Sequence, residues 1–160
     1  MIEKIGEKLF KHLNWLPTLP IEPTLNAKSF RLLREGAFYI LGRDKYFRPC
    51  LIMDAIVINR LEKEQPGTVD EQTFIDLFLF LYIYIRDVMF LPGHINYWIN
   101  IVHFGHLGAT ELPRKPILAF AGVCQENLMF MLAKSFYVQT GWTLRTFYNG
   151  IKSFMAEETR

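Results

Sequence analysis

His103 and His106, Cys50 and Cys124, and the Arg43, Asp44, Lys45 and Arg48 cluster are the side chains of this 160-residue chain whose types could do chemistry. A metal needs three or four ligands converging on one point. His103 and His106 stand three apart where a strand runs into a loop, which does not hold that spacing on one face, and no third ligand lies close by in sequence. A Cys124 and His103 pair would make a thiolate nucleophile, but Cys124 lies on the apolar stripe of its helix, where a thiol is inert. The basic cluster in GRDKYFRP reads as a solvated, self-paired turn. The chain has no GxSxG elbow, P-loop, GxGxxG or HExxH, so the common routes to hydrolase, NTPase, dehydrogenase and zinc protease lack their residues. The expectation is a protein that is not an enzyme, with no catalytic residue, no metal and no cofactor.

The elements that would hold these groups are organised around Phe74 to Leu107. FIDLFLFLYIYIRDVMFL is apolar at helical spacing at Phe74, Leu77, Phe78, Leu81, Ile85 and Val88, and again between them at Leu79, Phe80, Ile83 and Tyr84. A helix apolar all round must be buried on several sides. WINIVHF, Trp98 to Phe104, is short and β-branched between Pro92-Gly93 and Gly105, as a central strand covered on both faces would be. A buried helix feeding a buried strand implies a layered α/β domain.

Composition narrows the partners. Apolar residues make up 51% and aromatics 15% of the chain, with 14 Phe, a surplus that asks for an apolar ligand, partner or membrane surface. The balance of 18 Lys and Arg against 16 Asp and Glu is too even for a nucleic-acid footprint, and no nucleic-acid partner is expected. Two widely separated cysteines in apolar runs predict buried free thiols in a reducing compartment. Glu3, Lys4, Glu7 and Lys8 break the apolar core that a signal peptide needs. The uncharged run Leu77 to Ile85 is far short of the ~20 residues of a spanning helix. A cytoplasmic monomer touching membranes transiently is expected.

In chain order, Ile2, Ile5, Leu9 and Leu13 predict an amphipathic helix packed on the body, with a membrane-surface helix as the lesser alternative because Glu3 and Glu7 dilute its basic face, and LPTLPIEPT, with three prolines in seven residues, predicts a stiff extended connector. A helix over Ala27 to Glu35 ends at Gly36, and two strands, AFYIL and CLIM, flank a polar turn. EKEQPGTVDEQ reads as a loop closing on a Thr68 and Glu71 capping box, so the large helix starts near Val69. A helix from Ile117 carries Phe120, Ala121, Cys124 and Leu128 on one face, followed by the strand KSFYVQ and a last helix with Leu144, Phe147, Tyr148, Ile151, Phe154 and Met155.

With these segments in order, GRDKYFRPC resembles the "G.D..GRPV" turn that opens the CRAL-TRIO lipid-binding domain. WINIVHFGHLG resembles that family's central strand "viiDl.G", VCQENLMFMLAKSFYVQTG its next helix and strand, and WTLRTFYNGIKSFMAEET its lid helix. The resemblance implies a CRAL-TRIO-like α/β fold over residues 27–160: a mixed, mostly parallel sheet of about four to five strands flanked by helices, with a mobile lid helix over an apolar pocket. Residues 1–26 form the helix and Pro-rich connector before it. The chain departs from the family where His103 replaces the strand's acid, Leu128 and Met129 replace Tyr-Pro, and Gln139, Thr140 and Gly141 replace Asn-x-Pro. The family's glutamate after Tyr-Pro falls on Phe130, the basic residue after its lid helix lies past Arg160, and its last strand and helix are missing, so a truncated or shortened member is expected.

Strand alternation puts Trp98, Asn100 and Val102 on one face and Ile99, Ile101 and His103 on the other. The resemblance turns the even set toward the cavity, with Leu112, Phe120, Val123, Cys124, Leu128, Phe130 and Leu132, and makes Leu144, Phe147, Ile151 and Met155 the inner face of the lid. Gly141 and Gly150 would supply flexibility for closure. The function implied is non-enzymatic binding and intermembrane transfer of a phospholipid or similar lipid, with lipid bound. The alternative is a protein-interaction scaffold with a filled cavity. An open apolar pocket of roughly 300 Å³ or more separates the first from the second.

Overall fold

The computed structural model describes residues 2–20, 23–108, 110–111, 114–128 and 131–141, without the side chains of 2–5, 114, 120, 121 and 124–126. The chain opens with α1 (Ile2–Trp15), turned opposite to the expectation from its apolar spacing. Leu9, Phe10 and Leu13 are exposed, while His12 is buried. His12 Nδ1 meets the carbonyl of Asn127, one of the orphan acceptors at the end of a later helix, and Trp15 packs its ring 5.9 Å from that of Tyr82. A ring that buries apolar area and also satisfies a backbone acceptor outcompetes a purely aliphatic stripe for the inward position.

The connector is not extended throughout. Leu16–Thr18 forms a 3-10 turn that holds Pro17, at a position where the missing N–H is no loss. In α2 (Ala27–Arg34) the Asn26 side chain accepts from the Ser29 amide at 2.9 Å, and the chain leaves through Gly36 at φ 80°. The strands β1 (Phe38–Arg43) and β2 (Pro49–Asp54) then pair antiparallel, with a bulge between Ile40 and Gly42.

The segment after β2 is a helix, α3 (Ala55–Glu64), which the sequence reading passed over as apolar residues before a polar loop. Asp54 starts it, its Oδ1 accepting from the amides of Ile56 and Val57 at 2.9 and 3.2 Å, and Ala55, Ile58 and Leu61 bury its inner face. The start of α4 (Glu71–Tyr84) is also corrected. Its cap is Asp70, not a Thr68 and Glu71 box: Asp70 Oδ1 accepts from the Thr73 amide at 2.8 Å, and Oδ2 pairs with Lys28 Nζ at 2.7 Å. Those two bonds, Lys28 first, hold the Asp70 carboxyl down to about 2. Thr68 bonds the Gln65 carbonyl instead.

After α4 the backbone widens into a π-turn, Ile85–Met89, and runs to β3 (Trp98–His103), α5 (Arg114–Asn127) and β4 (Leu132–Val138). The sheet order is β1-β2-β3-β4, with β2, β3 and β4 parallel, so β3 takes the interior position expected of it. Paired residues share a face. Phe38, Leu51, Met53, Trp98 and Val102 therefore look to one side, where they form a single core with Phe74, Leu77, Phe78, Leu81 and Tyr82 of α4 and with Leu128. The α/β class and the mixed sheet flanked by helices are as expected. The residues expected to form the lid helix, 142–155, lie outside those described.

After β3, Gly105 adopts φ 54°, and a Cβ there would run into the Ile56 side chain. Glycine takes that backbone without strain and leaves room for Ile56 of α3.

Candidate ligand-binding site

The face of the sheet opposite the core carries a hollow of about 450 Å³. Cys50, Ile99, Ile101 and Phe136 floor it, and Asp44, Lys45, Tyr46, Arg48 and Lys134 rim it. Register explains the floor, since Cys50 pairs with Ile99, Ile52 with Ile101, Ile99 with Lys134 and Ile101 with Phe136 across three parallel strands.

The rim is built by the turn between β1 and β2. Asp44 Oδ1 accepts from the amides of Tyr46 and Arg48, each at 2.9 Å, and Oδ2 accepts from Arg48 Nε at 2.8 Å and Nη2 at 2.5 Å. A carboxylate saturated in this way shapes the turn. The Arg48 guanidinium holds the Asp44 carboxyl below the usual carboxylate range, and Asp44 in return raises Arg48. Lys45 Nζ and the Arg48 guanidinium each stand 4.9 Å from the centre of the Tyr46 ring. Neither Lys45 nor Lys134 has a carboxylate partner among the described residues. An apolar floor beside cations not taken up by carboxylates has the chemistry that an amphipathic molecule with an anionic group would match.

Burial pushes the Cys50 thiol up, and its Sγ lies 3.7 Å from the Arg48 carbonyl, so it is the buried free thiol expected. Among the described residues no three His, Cys, Asp or Glu side chains gather as a metal would need. No helix among them is long and apolar enough to cross a membrane.

None of the described members of the expected pocket set lines this hollow. Trp98, Asn100, Val102 and Leu128 lie buried on the core side, Trp98 with its ring 5.7 Å from Tyr82 and 6.5 Å from Phe78. Leu132 packs half-buried against that core, and Val123 is half-buried on α5. The parity of β3 is as read, but the hollow opens on the odd side: the indole of Trp98 fills the space under α4, which leaves Ile99 and Ile101 for the other face. Asn100 Oδ1 is buried in the core with no hydrogen-bond partner among the described residues. Leu112, Phe130, Leu144, Phe147, Ile151 and Met155 lie outside the described residues, as do the side chains of Phe120 and Cys124. Lys45, Tyr46, Arg48, Lys134 and Phe136 line the hollow without belonging to the expected set, although the basic turn and the odd parity of Ile99 and Ile101 were signals for them.

His103, where the family has an acid, ties three strand ends together. Its Nδ1 lies 3.0 Å from Asp54 Oδ2 and its Nε2 lies 2.9 Å from Gln139 Oε1. The bond to Asp54, then that to Gln139, raises the imidazole above its ordinary value, since the imidazolium can donate to both oxygens. A raised folded-state value gives stability that is full below the unfolded pKa of about 6.5 and is lost as pH rises through the folded value. Thermal melts of the wild type and His103→Gln between about pH 5.5 and about pH 8.5 are expected to show an advantage for the wild type of at most about 1 kcal/mol that shrinks with rising pH. A pH-independent difference would remove His103 as the titrating clasp.

Comparison with known proteins places this geometry in a family. The model of the CRAL/TRIO domain matches residues 33–160. Among solved structures the crystal structure of Sfh5 is similar, with a TM-score of 0.71 at 15% identity over 100% of this chain and 59% of that one. The chain thus spans 59% of the length of that relative. No curated protein matches by sequence. The chain belongs to the CRAL/TRIO domain family, whose members are in general lipid-binding carriers and not enzymes.

Proposed function

We propose that this protein binds a phospholipid or similar lipid against the odd face of its sheet and carries it between membranes. The observation that carries the reading is the hollow of about 450 Å³, with its apolar floor of Ile99, Ile101 and Phe136 and its cationic rim of Lys45, Arg48 and Lys134. Moving an acyl chain out of a bilayer exposes it to water at about 0.8 kcal/mol per CH₂ unless a protein surface covers it again. The floor offers such a surface, and the lysines can meet a phosphate as point charges. A floor left uncovered by the described residues supports a carrier over a scaffold whose cavity is filled.

Protein purified without detergent is expected to yield lipid on solvent extraction and mass spectrometry, and to take up labelled phospholipid from liposomes. Absence of both would refute the carrier reading and leave the scaffold.

A further inference from the structure

We propose that the β1–β2 turn and the adjoining π-turn form the surface by which this protein docks on an anionic bilayer. The proposal rests on the carrier reading, because a carrier must meet the membrane that holds its cargo.

Leu41, Tyr46, Phe47 and Val88 are 67%, 58%, 65% and 60% exposed. Arg43 fastens the two segments together, Nη1 donating to the Phe47 carbonyl at 2.7 Å and Nη2 to the Met89 carbonyl at 2.5 Å. Isolated exposed apolar residues are ordinary, but here Arg43 holds two segments that carry them against each other, as a contact surface would need.

Phe47 gives an independent reason. It adopts φ 62°, the left-handed region in which glycine or asparagine is at home and a bulky side chain is strained. The turn's hydrogen bonds hold it there, the Phe47 amide donating to the Asp44 carbonyl at 2.9 Å, and leave the ring among the most exposed apolar side chains described. A phenylalanine kept exposed where glycine would suit the turn is a side chain displayed for a surface outside the chain.

Charge selects the occupant. The turn carries Arg43, Lys45 and Arg48 against Asp44 alone, and the π-turn adds Arg86 already paired with Asp87. Three cations against one carboxylate leave a surplus of two, and a second copy would bring the same surplus face to face. An anionic bilayer complements it, with aromatic and aliphatic side chains entering the headgroup boundary between lysine and arginine heads. Lys45, Tyr46 and Arg48 also rim the hollow, so docking here brings its mouth to the lipid surface.

The test is flotation of the intact chain with phosphatidylcholine vesicles, with and without phosphatidylserine, for the wild type, Phe47→Gly and Lys45→Glu. The wild type is expected to float with the anionic vesicles and to come off with added salt. Phe47→Gly should weaken binding about tenfold while keeping or raising the melting temperature, because glycine relieves the strained backbone. Lys45→Glu should weaken it about thirtyfold by reversing a charge. Wild type that ignores anionic vesicles, or variants that bind as it does, would overturn the proposal. So would a dimer in sedimentation velocity that Phe47→Gly dissolves, which would make a second copy the occupant. Lipid content of each protein keeps the two readings apart: lipid present with docking unaltered by the variants defeats the docking surface alone, while lipid absent with docking lost in the variants defeats the carrier alone.

Discussion

Replacing Trp98 by alanine is expected to cost about 3 to 5 kcal/mol of folding stability. The indole is 2% exposed on the interior strand and packs under Phe78 and Tyr82 of α4, so its removal opens a cavity where strand and helix meet. Neighbours fixed by the sheet on one side and by α4 on the other cannot collapse fully into that space. With typical domain stabilities of about 5 to 15 kcal/mol, the variant should be marginal at room temperature. Urea denaturation would show the midpoint falling at unchanged slope. A loss below about 1 kcal/mol would mean that Trp98 is not the core residue described.

Ile101→Trp is expected to abolish lipid uptake while hardly moving the melting temperature. Ile101 is half-buried on the floor of the hollow, so an added indole occupies open space at the position a ligand needs. Val102, the next residue, is buried in the core, and Val102→Trp should overpack it at about 1 to 3 kcal/mol or more. The two neighbours thus form a matched pair, one reporting on the ligand and the other on the fold. The measurement is uptake of a fluorescent phospholipid from liposomes beside a thermal melt of each variant. Normal uptake by Ile101→Trp, together with lost uptake at unchanged stability in Val102→Trp, would put the ligand on the helix side of the sheet.

Much of the architecture was legible because it is written in local spacing. The 3.6-residue recurrence from Phe74 identified α4, and the β-branched run from Trp98 identified a buried strand, since each pattern reports how one element meets apolar surroundings. Caps were harder. Thr68 with Glu71 and Asp70 with Thr73 are both plausible helix starts by residue type, and Lys28, forty-two residues away in sequence, favours the second by pairing with Asp70. The helix α3 escaped because Ile56, Val57 and Ile58 continue the apolar run of β2, so that only the Asp54 cap marks the change of element.

What the sequence by itself determined was the helix α4, the buried strand β3 and its parity, and the family pattern carried by GRDKYFRPC and WINIVHFGHLG. Only the tertiary structure decided which way those elements look. Even and odd residues of β3 each comprise two apolar side chains and one polar one, and alternation is blind to which face a helix will cover. The choice was made where the Trp98 ring met Phe78 and Tyr82, leaving Ile99 and Ile101 to floor a hollow with Cys50 and Phe136. The same holds for α1, where the apolar stripe of Leu9 and Leu13 lost the inward position to His12, whose ring reaches a carbonyl 115 residues away. Periodicity is a property of neighbours along the chain, whereas facing depends on partners that the chain brings together only when it folds.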